Sequence, residues 1–402
     1  MRASLVLVAA VLGSGAASGA TLTVTTTADT IANDGACSLR EAVTAANTDA
    51  PFNGCPAGSG FDEIVLAAAE YRFDRAGAGE DANSTGDIDI RSSLAIRGAG
   101  ADQTRIRGDR EDGVFDIRPA ILAVPIEVTL SGLTIRNGDA DIGGAVFVDA
   151  GAALTIEDSS IVNNVALQGA GIAVLGMLSI SASTFHANSA ISGGAIWTGG
   201  TGFASLRNVT FDSNTSTLSG SAASFNAPAV LNNVTLSMNM ADSDLDDAGD
   251  GAIEVNAVVT MSNSIIARNI DLSLGGSALV NPDCVVGPAG SLTSAGHNLI
   301  GNIGSVCVLA AAQAGDQIGT AAMTINPRLQ PFAVYGGTVE IFLPLPGSPA
   351  VERGSPAVSD DPGACEPLDA RGVTRPQATR CDIGAAELEE LIFRDGFDPP
   401  LP

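Results

Sequence analysis

The chain has 402 residues, with 45 acidic against 19 basic side chains and a formal net charge of −26. Every basic residue is arginine and only two histidines occur. This argues against nucleic acid or anionic lipid as a partner and excludes lysine Schiff-base chemistry, P-loop phosphate binding and a His-rich metal site. Hydrophobic residues make up 45% but aromatics only 4%, so any core must be built from small and β-branched side chains.

Residues 1–20 have the pattern of a signal peptide: Arg2, an apolar run from Leu5 to Leu12, and the small residues Ser18, Gly19 and Ala20 before the expected cleavage point. The run is shorter than the roughly 20 residues that span a bilayer. No transmembrane segment is expected further on. The mature chain is therefore expected to be a secreted, soluble monomer. Six cysteines agree with export: Cys37, Cys55, Cys284, Cys307, Cys365 and Cys381. Six cysteines allow 15 pairings; the simplest joins sequence neighbours, each loop contributing about 3 kcal/mol on the chain-entropy model.

Residues 21–60 read as an N-terminal cap. Thr21 to Thr27 alternates like a strand. Ser38 and Glu41 form a capping box, and Leu39, Ala42, Val43 and Ala46 line one face of a short helix. Such a helix can cover the open end of a stacked structure.

Residues 61–310 repeat. Segments ending in asparagine recur as LTIRN (Leu133–Asn137), SIVNN (Ser160–Asn164), TFHAN (Thr184–Asn188), TFDSN (Thr210–Asn214), TLSMN (Thr235–Asn239) and SIIARN (Ser264–Asn269), at intervals of 27, 24, 26, 25 and 30 residues. The first five are each followed by a glycine-containing motif, from GGAVFV at Gly143 to DGAIEV at Asp250. Three short alternating segments per unit of about 25 residues, broken by Gly, Asn, Asp and Ser, predict an all-β, right-handed parallel β-helix. A helical solenoid fails because the period is 2, and a propeller blade needs about 40 residues. Asn164, Asn188, Asn214 and Asn239 are read as structural corner residues that tolerate left-handed backbone and hydrogen-bond along the axis.

The long interval holds an acidic loop: Asp242, Asp244, Asp246, Asp247 and Asp250. Clustered carboxylates suit Ca²⁺, the one cofactor in view, although no EF-hand spacing is present. Other candidates for catalysis are Asn281-Pro282-Asp283, His297 and Arg268. The order and the missing lysine do not match the galacturonan-hydrolase pattern. Trp197 follows an inward Ile196, so alternation turns it outward.

Several of these stretches resemble one family. Cys37-Ser38-Leu39-Arg40-Glu41-Ala42 is the hexapeptide of the CSLREA domain of secreted bacterial proteins. Phe61–Leu66, Gly86–Ile90, Leu94–Gly100 and Ser294–Asn302 are similar to its coils. Residues 311–387 resemble a choice-of-anchor Q region through Asn326-Pro327, Tyr335-Gly336-Gly337, Leu345–Ala350, Asp369–Pro376 and Cys381–Glu387. Ala386 stands where that family would carry an aromatic. The resemblance implies a β-helix with an irregular, disulfide-bonded C-terminal cap at a cell surface, and no particular activity. Residues 388–402 form a tail in which Leu391 to Phe397 is either an export signal or a last packed segment.

Two functions follow from these readings. The expected one is a non-enzymatic secreted or cell-surface module binding extracellular polysaccharide or a surface protein. The alternative is a polysaccharide lyase or glycoside hydrolase with an atypical site. An enzyme should gather arginine and carboxylates into one groove of adjoining coils, whereas a binding protein should scatter them.

Overall fold

The computed structural model describes residues 19–245, 251–273, 283–357, 361 and 363–389. Residues 1–18, most of the expected signal peptide of residues 1–20, and residues 390–402 lie outside them. So do Asp246, Asp247, Asp250, Asn281 and Pro282.

The described chain is a parallel β-helix. Its strands form four sheets of ten, ten, eight and six strands, and every pairing between coils is parallel. One coil shows the pattern: Ala152–Glu157, Ser160–Val162, Val165–Gln168 and Ile172–Val174, each stacked on its counterpart in the next coil. The sequence suggested three segments per coil. The fourth, between the asparagine corner and the glycine corner, was missed because these strands are short and face water on one side, as in Val165–Gln168.

Alternation fills the interior. Ile135, Ile161, Phe185, Phe211, Leu236, Ile266 and Ile300 form one in-register inward column, all fully buried. Phe185 and Phe211 stack with ring centroids 5.1 Å apart. Three corners per coil bend the chain through left-handed backbone. At one of them φ is 71° at Gly143, 60° at Gly169, 64° at Gly193 and 73° at Gly220. A Cβ at Gly169 would stand 2.3 Å from the Ile172 carbonyl oxygen, so only glycine fits there.

At the asparagine corner the left-handed residue is the one before the ladder: Asn163, Ala187, Ser213, Met238 and Arg268 have φ of 57°, 54°, 53°, 65° and 66°. Asn164, Asn188, Asn214 and Asn239 themselves are fully buried. The expectation that they adopt the left-handed conformation is thus corrected: they supply side chains, and their neighbours turn the chain. Asn137 is a neighbour of this kind, with φ 61°. It aligns with Asn163, because Arg136 pairs with Val162. The first interval in the sequence was therefore one residue too long.

The ladder is continuous. Asn164 Nδ2 donates to Asn188 Oδ1, Asn188 to Asn214, Asn214 to Asn239 and Asn239 to Asn269, at 2.9–3.0 Å. Each Oδ1 also accepts the backbone N–H of the preceding asparagine, at 3.1 Å. Each Nδ2 reaches a strand carbonyl of the coil before, as Asn214 does to Phe185 at 3.0 Å.

At the N-terminal end, α1 (Leu39–Thr48) buries Leu39, Ala42, Val43 and Ala46 in the main core. Ser38 and Glu41 make both halves of the capping box. Arg40 is fully buried. Its guanidinium pairs with Asp29 at 2.7 and 3.0 Å and donates to the carbonyls of Thr85, Gly86 and Asp87. Cys37 is bonded to Cys55, Cys284 to Cys307 and Cys365 to Cys381.

At the other end Gln317–Ile318 adds the last strand. The irregular C-terminal cap then runs back along the flank as a strap. Asn208 Nδ2 donates to the Leu368 carbonyl at 2.8 Å and Asn263 Nδ2 to that of Gly363 at 3.0 Å. Ala386 is buried with Ala101, Val339, Ile341, Ala370 and Ala385, a cluster of small side chains that suits alanine at that place.

Replacing Asn214 with alanine should lower stability by about 3–5 kcal/mol, since it strands several buried donors and acceptors at once. Ser213→Gly should change stability by no more than about 1 kcal/mol, because it only relaxes the left-handed turn. Urea unfolding midpoints of the two variants at unchanged slope would check both values.

Candidate functional site

The ten-stranded sheet that begins with Thr21–Thr23 and Asp62–Val65 presents a flat outer face. Register places Thr129, Thr155, Ser179, Ser205, Val230, Thr260 and Thr293 in one outward column. Adjacent coils repeat at about 4.8 Å, so the hydroxyls form a regular row. A second column holds Met177, Phe203, Pro228 and Val258, with Met177 and Val258 about half exposed. The strap borders this face, and a cleft of about 570 Å³ lies between them, lined by Arg207, Val230, Asn232 and Ser262 on one side and Gly363 to Pro367 on the other.

An acidic groove of about 360 Å³ opens at a different corner, over the first coils. Glu80, Asp81, Asp87, Asp112, Asp116 and Asp141 line it, with Arg118 the only basic residue among its lining. The strands Ile88–Ile90 and Phe115–Ile117 turn their isoleucines and Phe115 inward and their aspartates outward. Asp89 and Asp116 are register partners. Carboxylate oxygens of Asp81, Asp89 and Asp116 lie within 4.8 Å of one another. Arg91 stands among them, 3.0 Å from Asp81, 3.4 Å from Asp116 and also bonded to Asp89. Burial, then the neighbouring charges of Asp112, Asp89 and Asp116, push the Asp87 carboxyl up to about 8. Burial also pushes Asp89 up to about 6, against the lowering effect of the Asn83 N–H and Arg91.

The sequence candidates fall elsewhere. Asp242 is buried at a left-handed turn and Asp244 is exposed. Neither joins a group of carboxylates close enough to share an ion among the described residues. Asp283 is buried and closes the asparagine ladder, accepting from Asn269 Nδ2 at 2.9 Å and from the Asn302 N–H. Burial raises it to about 7. It is a structural terminus, and the catalytic candidacy of Asp283 is withdrawn on that ground. His297 occupies a left-handed corner beneath the strap, within 2.9 Å of the Arg353 carbonyl. Arg268 holds the left-handed turn before Asn269 and touches Met238 Sδ at 3.5 Å. Trp197 is half-buried beside Gly199. Asn83, Asn208, Asn214 and Asn233, the asparagines followed two residues on by Ser or Thr as in N-glycosylation acceptors, are all buried.

Two arrangements escaped the sequence reading. The aspartates of the groove come from separate coils, so no dense run announced them; the signal was aspartate alternating with isoleucine in DIDI (87–90) and again in FDI (115–117). His186 and Asp212 occupy the same place in TFHAN and TFDSN. They are register partners with Nδ1 and Oδ2 2.8 Å apart. His186 also stacks on Phe332 of the strap at 5.0 Å. Comparison of the chain with family models, curated proteins and solved structures finds no match.

Two pH effects follow. The Asp87 carboxyl binds its proton more tightly folded than unfolded, so it withdraws stability as pH rises from about 4 to about 8. In metal-free buffer Asp87→Asn should leave stability at pH 4 unchanged and raise it by about 1–3 kcal/mol above pH 8, as read by denaturant titration at both values. The Asp212 hydrogen bond raises His186, opposed by burial and aided by the charges of Asp212 and Glu340. Its contribution is complete below the ordinary histidine pKa and is lost as pH rises through the folded one. NMR titration should place His186 above 6.5, and Asp212→Asn should lower it.

Proposed function

We propose that the protein is a secreted or cell-surface β-helix that binds extracellular polysaccharide along its ten-stranded face. The in-register row of Thr and Ser hydroxyls carries this reading. A polymer of repeating units meets a hydroxyl at each coil from Thr129 to Ser205 and again at Thr260 and Thr293, with Val230 the one interruption. Contacts that are weak singly add along the row, because the first one fixes the chain for the next. The adjoining Met177, Phe203, Pro228 and Val258 offer apolar contact to the C–H faces of a sugar ring, and the cleft beside the strap gives the polymer an edge to lie against. The three disulfides suit an oxidising compartment.

One observation favours a second reading, an atypical lyase or hydrolase. Arg91, Arg118 and several carboxylates converge in one groove of adjoining coils, with Asp89 and Asp116 oxygens within 4.8 Å of each other, and a pair of close carboxylates is what a glycosidase needs. Asp89 is poorly placed for that work: its side chain is 1% exposed and already engaged by Arg91 and the Asn83 N–H.

The test is a panel of neutral and acidic polysaccharides, recording both binding and new chain ends. Thr155→Arg with Ser179→Arg should weaken binding at least tenfold at unchanged melting temperature. Binding indifferent to that change, or new ends abolished by Asp116→Asn, would transfer the function to the groove.

A further inference from the structure

Asp87 stands just before the strand Ile88–Ile90. Its neighbours Ile88 and Ile90 are fully buried inward, so its own side chain turns outward into the acidic groove. It is nevertheless only 9% exposed. The cap holds it from behind, with Arg40 Nη1 donating to its carbonyl at 2.8 Å.

The other carboxylates close to it have partners, and Asp141 on the rim is exposed to water. Asp89 and Asp116 are engaged by Arg91, and Asp116 also by Arg118 at 2.8 Å. Asp112 accepts the N–H groups of Gly79 at 3.1 Å and Gly113 at 2.8 Å. Among the described residues the Asp87 carboxylate forms neither a hydrogen bond nor an ion pair. Asp112 lies directly beside it: a Cβ on Gly86 would stand 2.5 Å from Asp112 Oδ2. A buried carboxylate set among like charges and given no donor is costly unless a cation or a proton joins it.

We propose that Asp87, with Asp112 and Asp116 beside it, holds a divalent cation in this groove, and that the cation is Ca²⁺. The lining offers carboxylate oxygen and no histidine or cysteine, which disfavours zinc and the softer metals. The groove is open to water on one side, and Ca²⁺ accepts a variable set of 6–8 oxygens including water, whereas Mg²⁺ demands near-ideal octahedral geometry. Arg91 already fills the space among Asp81, Asp89 and Asp116. Asp87 and Asp112 are the end of the cluster still short of positive charge. Asp242 and Asp244 of the acidic sequence 242–250 are not among the residues lining this groove.

Calorimetric titration of the metal-stripped full chain with CaCl₂ at pH 7.5 tests the proposal. One site is expected, with a dissociation constant between about 10⁻⁶ and 10⁻³ M. Asp87→Asn should weaken it at least tenfold, and Asp244→Ala with Asp246→Ala should leave it unchanged. Ca²⁺ should also raise the melting temperature of the wild-type chain and not of Asp87→Asn. If Asp87→Asn does not fold, Asp112→Asn is read in the same way. Absence of heat at millimolar Ca²⁺, an undiminished affinity in the groove variant, or loss confined to the acidic-loop variant would each overturn the proposal.

Discussion

The structure depends on a row of buried amides. A side-chain amide carries two donors and an oxygen with two lone pairs, and burying it unsatisfied costs more than any single hydrogen bond returns. In the interior of this β-helix the asparagine ladder satisfies them by translation: each Oδ1 takes two N–H groups from the coil before, and each Nδ2 gives to the coil after and to a strand carbonyl behind it. A slip of one residue at any coil would break bonds in two neighbours. The ladder therefore fixes register where hydrophobic columns alone would allow sliding. It also explains the uneven repeat lengths. Successive ladder residues are 24, 26, 25 and 30 positions apart, so extra residues must leave the coil between corners. The longest of these ladder intervals, Asn239 to Asn269, is the one whose sequence contains the acidic run 242–250.

Much of this was legible in the sequence, because repetition reports on a fold that repeats. The period-2 alternation gave the strands, the recurrent asparagine gave the ladder, and Ser38 with Glu41 gave the capping box. What stayed hidden has physical causes. The left-handed turn and the buried amide are adjacent residues, and asparagine is suited to both, so the sequence could not say which was which until Ala187 and Met238 appeared in the turn. The fourth strand of each coil is too short to alternate visibly. The acidic groove was hidden for the opposite reason. Linear density of charge drew attention to residues 242–250, but a solenoid assembles its sites across coils. Asp87 and Asp116 are far apart in the chain and one coil apart in space.

The two ends of the chain also decide which surfaces remain free. The CSLREA hexapeptide fastens the cap: Arg40 reaches three consecutive carbonyls of the first coil, so the strand carrying Asp87 and Asp89 is held from behind. The C-terminal strap covers the flank carrying His186, Asn208 and Asn263. Its hydrogen bonds go largely to the carbonyls and side chains of corner residues, the places where a β-helix offers groups that the sheets do not use. The hydroxyl face and the acidic groove are left on other sides of the same rod.

That separation bears on what each surface can bind. With a net charge of −26, the protein repels an anionic polymer at long range, and the groove repels it most strongly. The hydroxyl column carries no charge of its own, and the binding proposed for it would rest on hydrogen bonds and C–H contact, which suit a neutral polysaccharide. A uronate-rich chain would need a bridging cation before it could settle near Asp87 and Asp112. On the proposed reading the same rod would divide ligands by charge: neutral chains along the hydroxyl face, acidic chains only where a bound cation bridges them to the groove.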